Sequence, residues 1–192
     1  QALWDEGFEV RPQDEDVHTA VENALSARLG ELGEKVHTGR SRNDQVLVDL
    51  RLYAKAQLLA LDRGVLALAD ALLALARRHE FVPMPGVTHT RQAMPSSVGL
   101  WAGSFVEGLL EDRVALGAAL ALVDQCPLGA AAGYGVPLPL EREFVAELLG
   151  FAKVQANALN AVGGRAKLDF VVLGALATLM LDLARLSADL IW

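Results

Sequence analysis

A single cysteine, Cys126, is all the thiol chemistry in this 192-residue chain. That excludes an intrachain disulfide and fits a reducing compartment, so a cytoplasmic location is expected. The four histidines, at 18, 37, 79 and 89, stand at no metal-ligand spacing, and no metal is expected. Basic charge is not in excess: the net charge is −7, with acids and bases dispersed. A nucleic-acid partner would call for a basic face, and none is expected. The chain opens at Gln1 with no basic-then-apolar leader. The expectation is no signal peptide, and a start inside a longer protein. No wholly apolar run of membrane-spanning length occurs, although mean hydropathy is high at +0.30. The best stretch, Phe170 to Trp192, is interrupted by Asp182, Arg185 and Asp189, each costing about 2.5–3.5 kcal/mol at mid-bilayer depth. It reads as a helix buried in a protein bundle, not in a membrane. The excess apolar surface then implies burial against other subunits.

What is present is helical periodicity. Residues 1–13, with Gly7 and Pro12, read as irregular, and 14–192 as one helical bundle domain. A first helix is expected from an Asp14 N-cap, with Glu15 and Asp16 in its first turn and Gly30 and Gly33 at its end. Leu47, Leu50, Ala54, Leu58, Leu61, Val65, Leu68, Leu72 and Leu75 recur by threes and fours with no proline between them. That predicts a helix from Ser41 to near His79, roughly 57 Å long. Residues 81–95 hold three prolines and a glycine and read as a loop. A third long helix is expected over 96–124, a Gly/Pro-rich loop over 127–139 and a short helix over 140–149. Residues 151–163 are ambiguous, and a final helix runs from Gly164 onward. No strand pattern is visible. The class is all-α: long, near-parallel helices in a bundle that assembles into a multi-subunit helical core.

Four polar clusters interrupt this apolar framework. In "HTGRSRNDQV", 37–46, Ser41 and Asp44 have capping-box spacing. A helix starting there exposes free backbone N–H donors beside Arg40 and Arg42, with the Asn43 amide close by. Such a helix mouth suits an anion, and plain capping with solvated charge is the simpler alternative. In "GVTHTRQAMP", Thr88 and His89 sit between prolines and ahead of a long helix. A loop histidine can act as general acid or base near neutral pH, or can simply be solvated. In "DEDVHTA", Asp16 precedes His18 by two residues and would hold its tautomer or raise its pKa, if the segment is more than an acidic helix start. Gly129, Gly133 and Gly135 follow no strand and precede no Lys-Ser/Thr pair, so nucleotide fingerprints fail and a tight connection is expected.

Taken in order, "EDVHTAVENAL", "HTGRSRNDQV", "MPGVTHTRQAMP" and "PLGAAAGYGVPL" resemble the argininosuccinate lyase family of the fumarase/aspartase superfamily. "GRSRNDQV" is the most specific piece. The similarity runs from about Glu15 to Trp192 and matches a central part of the family's chain, less than half its length.

The resemblance implies reversible β-elimination of argininosuccinate to arginine and fumarate, in arginine biosynthesis, with no cofactor. It implies a homotetramer whose sites are each built from three subunits. Asn43 resembles the family's substrate-binding asparagine, with Ser41 and Arg42 as carboxylate contacts and Asp44 as support. Thr88 resembles the substrate-contacting threonine and His89 the catalytic histidine, while His18 and Asp16 order the site. Two segments depart from the family's pattern: Thr90 and Arg91 replace Leu-Gln after the histidine, and GGRAKLDF replaces a Ser- and Arg-containing segment. The loop "GSSxMPxKxNP", which carries the family's catalytic serine, is not in this chain, so only part of a site is expected. Alternatives are another fumarate-releasing lyase, such as adenylosuccinate lyase or aspartase, a non-catalytic crystallin-like protein of the same fold, and a plain helical oligomerisation module.

Overall fold

The computed structural model describes residue 5 and residues 7–192, so the irregular stretch expected over 1–13 lies partly outside them; from Gly7 to Gln13 the chain makes only turns. Helix α1, Val17–Leu29, begins two residues later than its sequence suggests. Asp16 is the N-cap, accepting from the Thr19 backbone N–H at 2.7 Å. Asp14 instead closes the preceding turn, its carboxylate accepting from the Arg11 N–H at 2.9 Å. Gly30 caps the far end with a positive φ of 58°. One further turn, α2 (Glu31–Glu34), and a 3₁₀ turn, Lys35–His37, lead to the long helix.

That helix, α3, spans Arg42–Arg78 with Ser41 as N-cap and His79 as C-cap. At 1.5 Å per residue its 37 residues extend about 55 Å. Helix α4, Val98–Val123, returns along it, and α7, Arg165–Ile191, runs antiparallel to α4. Leu58, Val65, Ala69 and Leu72 of α3 meet Phe105, Leu109, Leu116 and Val123 of α4, with Ala175, Leu179 and Leu186 of α7 on the other side. The Arg113 guanidinium grips Asp62 through two hydrogen bonds, at 2.6 and 3.1 Å, across the α3–α4 seam. Helix α4 is the middle member. Helices α3 and α7 diverge, leaving an apolar groove of about 440 Å³ between them. This is why Leu50 and Leu61, two members of the α3 stripe, stay exposed. By length and composition alone α7 could cross a membrane. Here it packs on α4, with the Trp101 indole donating to Asp189 at 2.8 Å.

Two small sheets correct the expectation of no strands. Strands β1, Pro83–Thr88, and β2, Arg91–Ser97, form an antiparallel hairpin where a loop was expected. Prolines 83, 85 and 95 hid it, because proline is excluded from a central strand. In a two-stranded ribbon both strands are edges, so it is tolerated. Ala93 and Met94 oppose Gly86 in a bulge. There a Cβ on Gly86 would lie 2.7 Å from the Met94 carbonyl oxygen. The second sheet pairs β3, Gln125–Cys126, in parallel with β4, Lys153–Val154. Arg51 pins it, donating to the Gln125 carbonyl and the Gln155 side chain, each at 2.6 Å. Helix α5, Arg142–Leu148, and helix α6, Ala158–Gly163, complete this end of the bundle.

Candidate functional site at a helix mouth

The capping box read from Ser41 and Asp44 is present in full. The Ser41 hydroxyl accepts from the Asn43 N–H at 3.3 Å, and the Asp44 carboxylate accepts from the Ser41 N–H at 2.9 Å. Asp44 does more than cap. It is fully buried, and its second oxygen accepts from the N–H groups of Gly129 and Ala131 at 3.1 and 2.8 Å. The glycine-rich loop therefore cradles an anion after all, but the anion is the protein's own carboxylate. Positive φ at Gly129 (87°), Ala131 (51°) and Gly133 (114°) curls the loop around it. The helix mouth and the 127–135 loop thus form one rigid unit.

Arg42 is held in place by protein groups. Its Nε lies 2.8 Å from Asp16, Nη1 donates to Glu22 at 2.9 Å and to Gln45, and Nη2 donates to the Thr19 hydroxyl at 3.0 Å. Asp16, Thr19 and Glu22 follow at intervals of three along α1, so one face of that helix supplies three acceptors. Glu22 also accepts from the Gln45 amide at 3.1 Å and meets the His37 ring at 2.9 Å. Burial pushes the Glu22 carboxyl up, but its bonds to Gln45, His37 and Arg42 outweigh that and hold it down at about 2. Asp16 is also lowered, chiefly by its bond from the Thr19 backbone. His18 lies 3.4 Å from Asp49 on α3, and the expected Asp16 interacts with it through charge, His18 helping to hold the Asp16 carboxyl down. Burial raises the Asp49 carboxyl, and the neighbouring His18 opposes the rise. All these contacts lock α1 onto the first turns of α3.

Asn43 is the group left facing outward. It is exposed, its amide nitrogen reaching Ser41 at 3.3 Å and its oxygen accepting from Arg165 at 3.3 Å. The sequence reading passed over Arg165, Glu22, Gln45 and Asp49. The three-residue spacing of 16, 19 and 22 is the signal that could have found Glu22.

Thr88 and His89 stand apart from this mouth. They lie at the tip of the β1–β2 hairpin, both exposed, beyond the opposite end of α3. His89 and Thr90 form its two-residue turn with φ of 51° and 63°, the left-handed pair that a type I′ hairpin turn requires. A strand of six residues reaches only about 20 Å. Within one chain the hairpin tip and the mouth of a 55 Å helix therefore do not meet. Among the described residues no cluster of three or more His, Cys, Asp or Glu could hold a metal ion.

The model of a family described as "Lyase" matches residues 2–192. An argininosuccinate lyase of Sorangium cellulosum is 54% identical over 177 residues, covering 92% of this chain and 41% of that protein. One from Thermotoga neapolitana is 43% identical over 191 residues, covering 99% of this chain and 48% of that protein. The chain thus spans less than half the length of these curated relatives. Among solved structures, an EDDS lyase variant with bound fumarate superposes with a TM-score of 0.85 at 29% identity, covering 89% of this chain and 34% of that one.

Proposed function

Since the chain belongs to the lyase family, we propose that the whole protein is an argininosuccinate lyase, releasing fumarate and arginine by β-elimination. One observation carries the reading: matches to curated argininosuccinate lyases at 43–54% identity cover 92–99% of the chain. The fumarate bound in the similar EDDS lyase variant fits the same product class.

In the proposed reaction a base removes a carbon-bound proton beside a carboxylate. The C–N bond then breaks, and the departing guanidinium nitrogen takes a proton. Negative charge accumulates on the carboxylate, and fixed donors aimed at it lower the barrier. The rigid mouth at Ser41–Asp44 is the place for that carboxylate. Asn43 offers its amide, and the positive helix end adds to the field. Arg42 acts by fixing the mouth, because acceptors on α1 and α3 already engage its guanidinium. Asp16 and His18 support it by holding α1 in place, and Asp44 by holding the glycine loop. Thr88 and His89 are the second half-site, with His89 the proton-transfer group.

The half-sites are separated by the length of α3, so a complete site takes the mouth of one copy and the hairpin of another. The exposed apolar surface of the long helices supplies the contact for a homotetramer. Residues 14–192 would then be the central helical bundle of each subunit, and the cytoplasm, which suits the unpaired Cys126, its compartment. The test is fumarate release, followed by ultraviolet absorbance, from the whole protein offered argininosuccinate and adenylosuccinate in parallel. Release from argininosuccinate alone is expected. Release from neither, with the assembly intact, sinks the proposal.

A further inference from the structure

Beside the α3 mouth stands a cation that takes no part in the clamp around Arg42. Arg165 is the first residue of α7, in the GGRAKLDF segment that departs from the family's pattern. Gly164 caps the end of α6 and the start of α7 at once, its N–H donating to the Asn160 carbonyl at 3.0 Å. A Cβ there would lie 2.6 Å from that carbonyl oxygen, so the join is open to glycine alone. It turns the half-buried Arg165 back over α6, where its Nε donates to the Val162 carbonyl at 3.5 Å. Val162 in turn lies against the glycine-rich loop, 3.6 Å from where a Cβ on Gly133 would stand. That loop is fastened to the mouth through Asp44. Arg165 therefore belongs to the same rigid unit as the mouth, and its Nη2 donates to the Asn43 side-chain oxygen at 3.3 Å.

The chemistry of that contact is one-sided. A side-chain amide accepts at one end and donates at the other, and the two ends have nearly the same shape. An amide can therefore turn over unless a neighbour tells its ends apart. Ser41, 3.3 Å from the Asn43 amide nitrogen, does not, because a hydroxyl both donates and accepts. A guanidinium does, because it only donates. With the amide turned over, the Asn43 nitrogen and Arg165 would face each other as two donors. We infer that Arg165 is a positioning residue: it fixes the Asn43 amide with its oxygen inward and its N–H groups outward, toward the substrate carboxylate. This rests on the proposed function, which puts that carboxylate at the mouth. One N–H meets Ser41, and the other is left for the substrate. The cationic donor also draws electron density from the amide oxygen, which makes the outward N–H a stronger donor.

The test measures fumarate release from argininosuccinate by the whole protein and by its Arg165→Lys, Arg165→Gln and Arg165→Met variants. Asn43→Ala is measured with and without Arg165→Met. Lysine is again only a donor, glutamine donates or accepts, and methionine does neither. The Met and Gln variants should lose about tenfold in kcat, because the amide stays and only its orientation is lost. KM should change little, since the charge that the amide meets grows only during the reaction. The Lys variant should regain most of the rate. In the Asn43→Ala background Arg165→Met should add no further loss, because the group it acts through is gone. A parent-like kcat in the Met variant overturns the inference, and so does a Lys variant as slow as the Met one. An equal further loss in the Asn43→Ala background also overturns it, because Arg165 then acts on substrate or fold directly. Where Arg165→Met does not assemble, Lys against Gln decides, and equal rates overturn the inference. A parent that releases no fumarate takes down the lyase reading and this one together. An active parent with insensitive variants takes down this one alone.

Discussion

A guanidinium offers five N–H donors in a fixed plane, and around Arg42 four side chains on two helices accept from them. The geometry makes Arg42 a clamp. Arg42→Met should lower the melting temperature by a few degrees, since Asp16 and Glu22 lose the guanidinium that joins them to α3. An unchanged melting curve would show that the clamp holds nothing. Asn43 is the opposite case, exposed and lightly bonded. Asn43→Ala should keep the fold and assembly but reduce kcat about 100-fold or more, as removal of a charge-stabilising donor does elsewhere. Retained turnover would rule out its proposed role. Glu22 gives the pH dependence. Its folded pKa, about 2, lies below the ordinary 4.5. Its stabilisation is therefore fully present above pH 4.5 and fades as pH falls toward 2. Across that window the melting temperature of Glu22→Gln should decline less steeply than the parent's. Parallel declines would mean that Glu22 is not held down.

At the scale of elements, the clearest unit is the start of α3 joined to the 127–135 loop through Asp44. Asp44→Ala would strand three N–H donors, that of Ala131 buried and those of Ser41 and Gly129 part-buried, at a cost of about 3 kcal/mol. Deuterium exchange should then speed up at Gly129 and Ala131. Continued protection of both amides would show that the loop holds itself. This junction was half legible. The spacing of Ser41 and Asp44 foretold the cap, because capping is local chemistry. Nothing local could foretell that the same carboxylate reaches a loop 85 residues on. The long helices were legible for the same reason as the cap. Periodic apolar residues over about eight turns of α3 leave no other regular structure, and its Ser41 and His79 bounds match the expected ones. The hairpin was missed because its prolines look like loop residues until it is known that the ribbon has no central strand. The Asp16–His18 pairing was half right: the N-cap Asp16 carboxylate is taken up by Thr19 and Arg42 and feels His18 only through its charge, while α3 brings Asp49 within 3.4 Å of the His18 ring.

At the scale of the whole molecule, the separation of Asn43 and His89 governs what can be observed. If each site needs the mouth of one copy and the hairpin of another, Asn43→Ala and His89→Ala damage different partners. Each variant alone should be nearly inactive. Mixed, dissociated and reassembled, they should regain measurable fumarate release, because some mixed sites receive both intact halves. No recovery from verified mixed assemblies would show that one copy supplies both halves.

Helix α3 then acquires a property beyond its packing. On the proposed function it is a measuring rod between two half-sites, and its graduations are residues. Each residue removed between the mouth and the hairpin shortens the rod by about 1.5 Å and swings one end about 100° around its axis. Deleting seven residues, nearly two turns, roughly restores the phase but not the span. Substitutions along the solvent side of α3 are therefore tolerable in kind, whereas insertions and deletions are not tolerable in number. What α3 transmits between the two chemistries is a count.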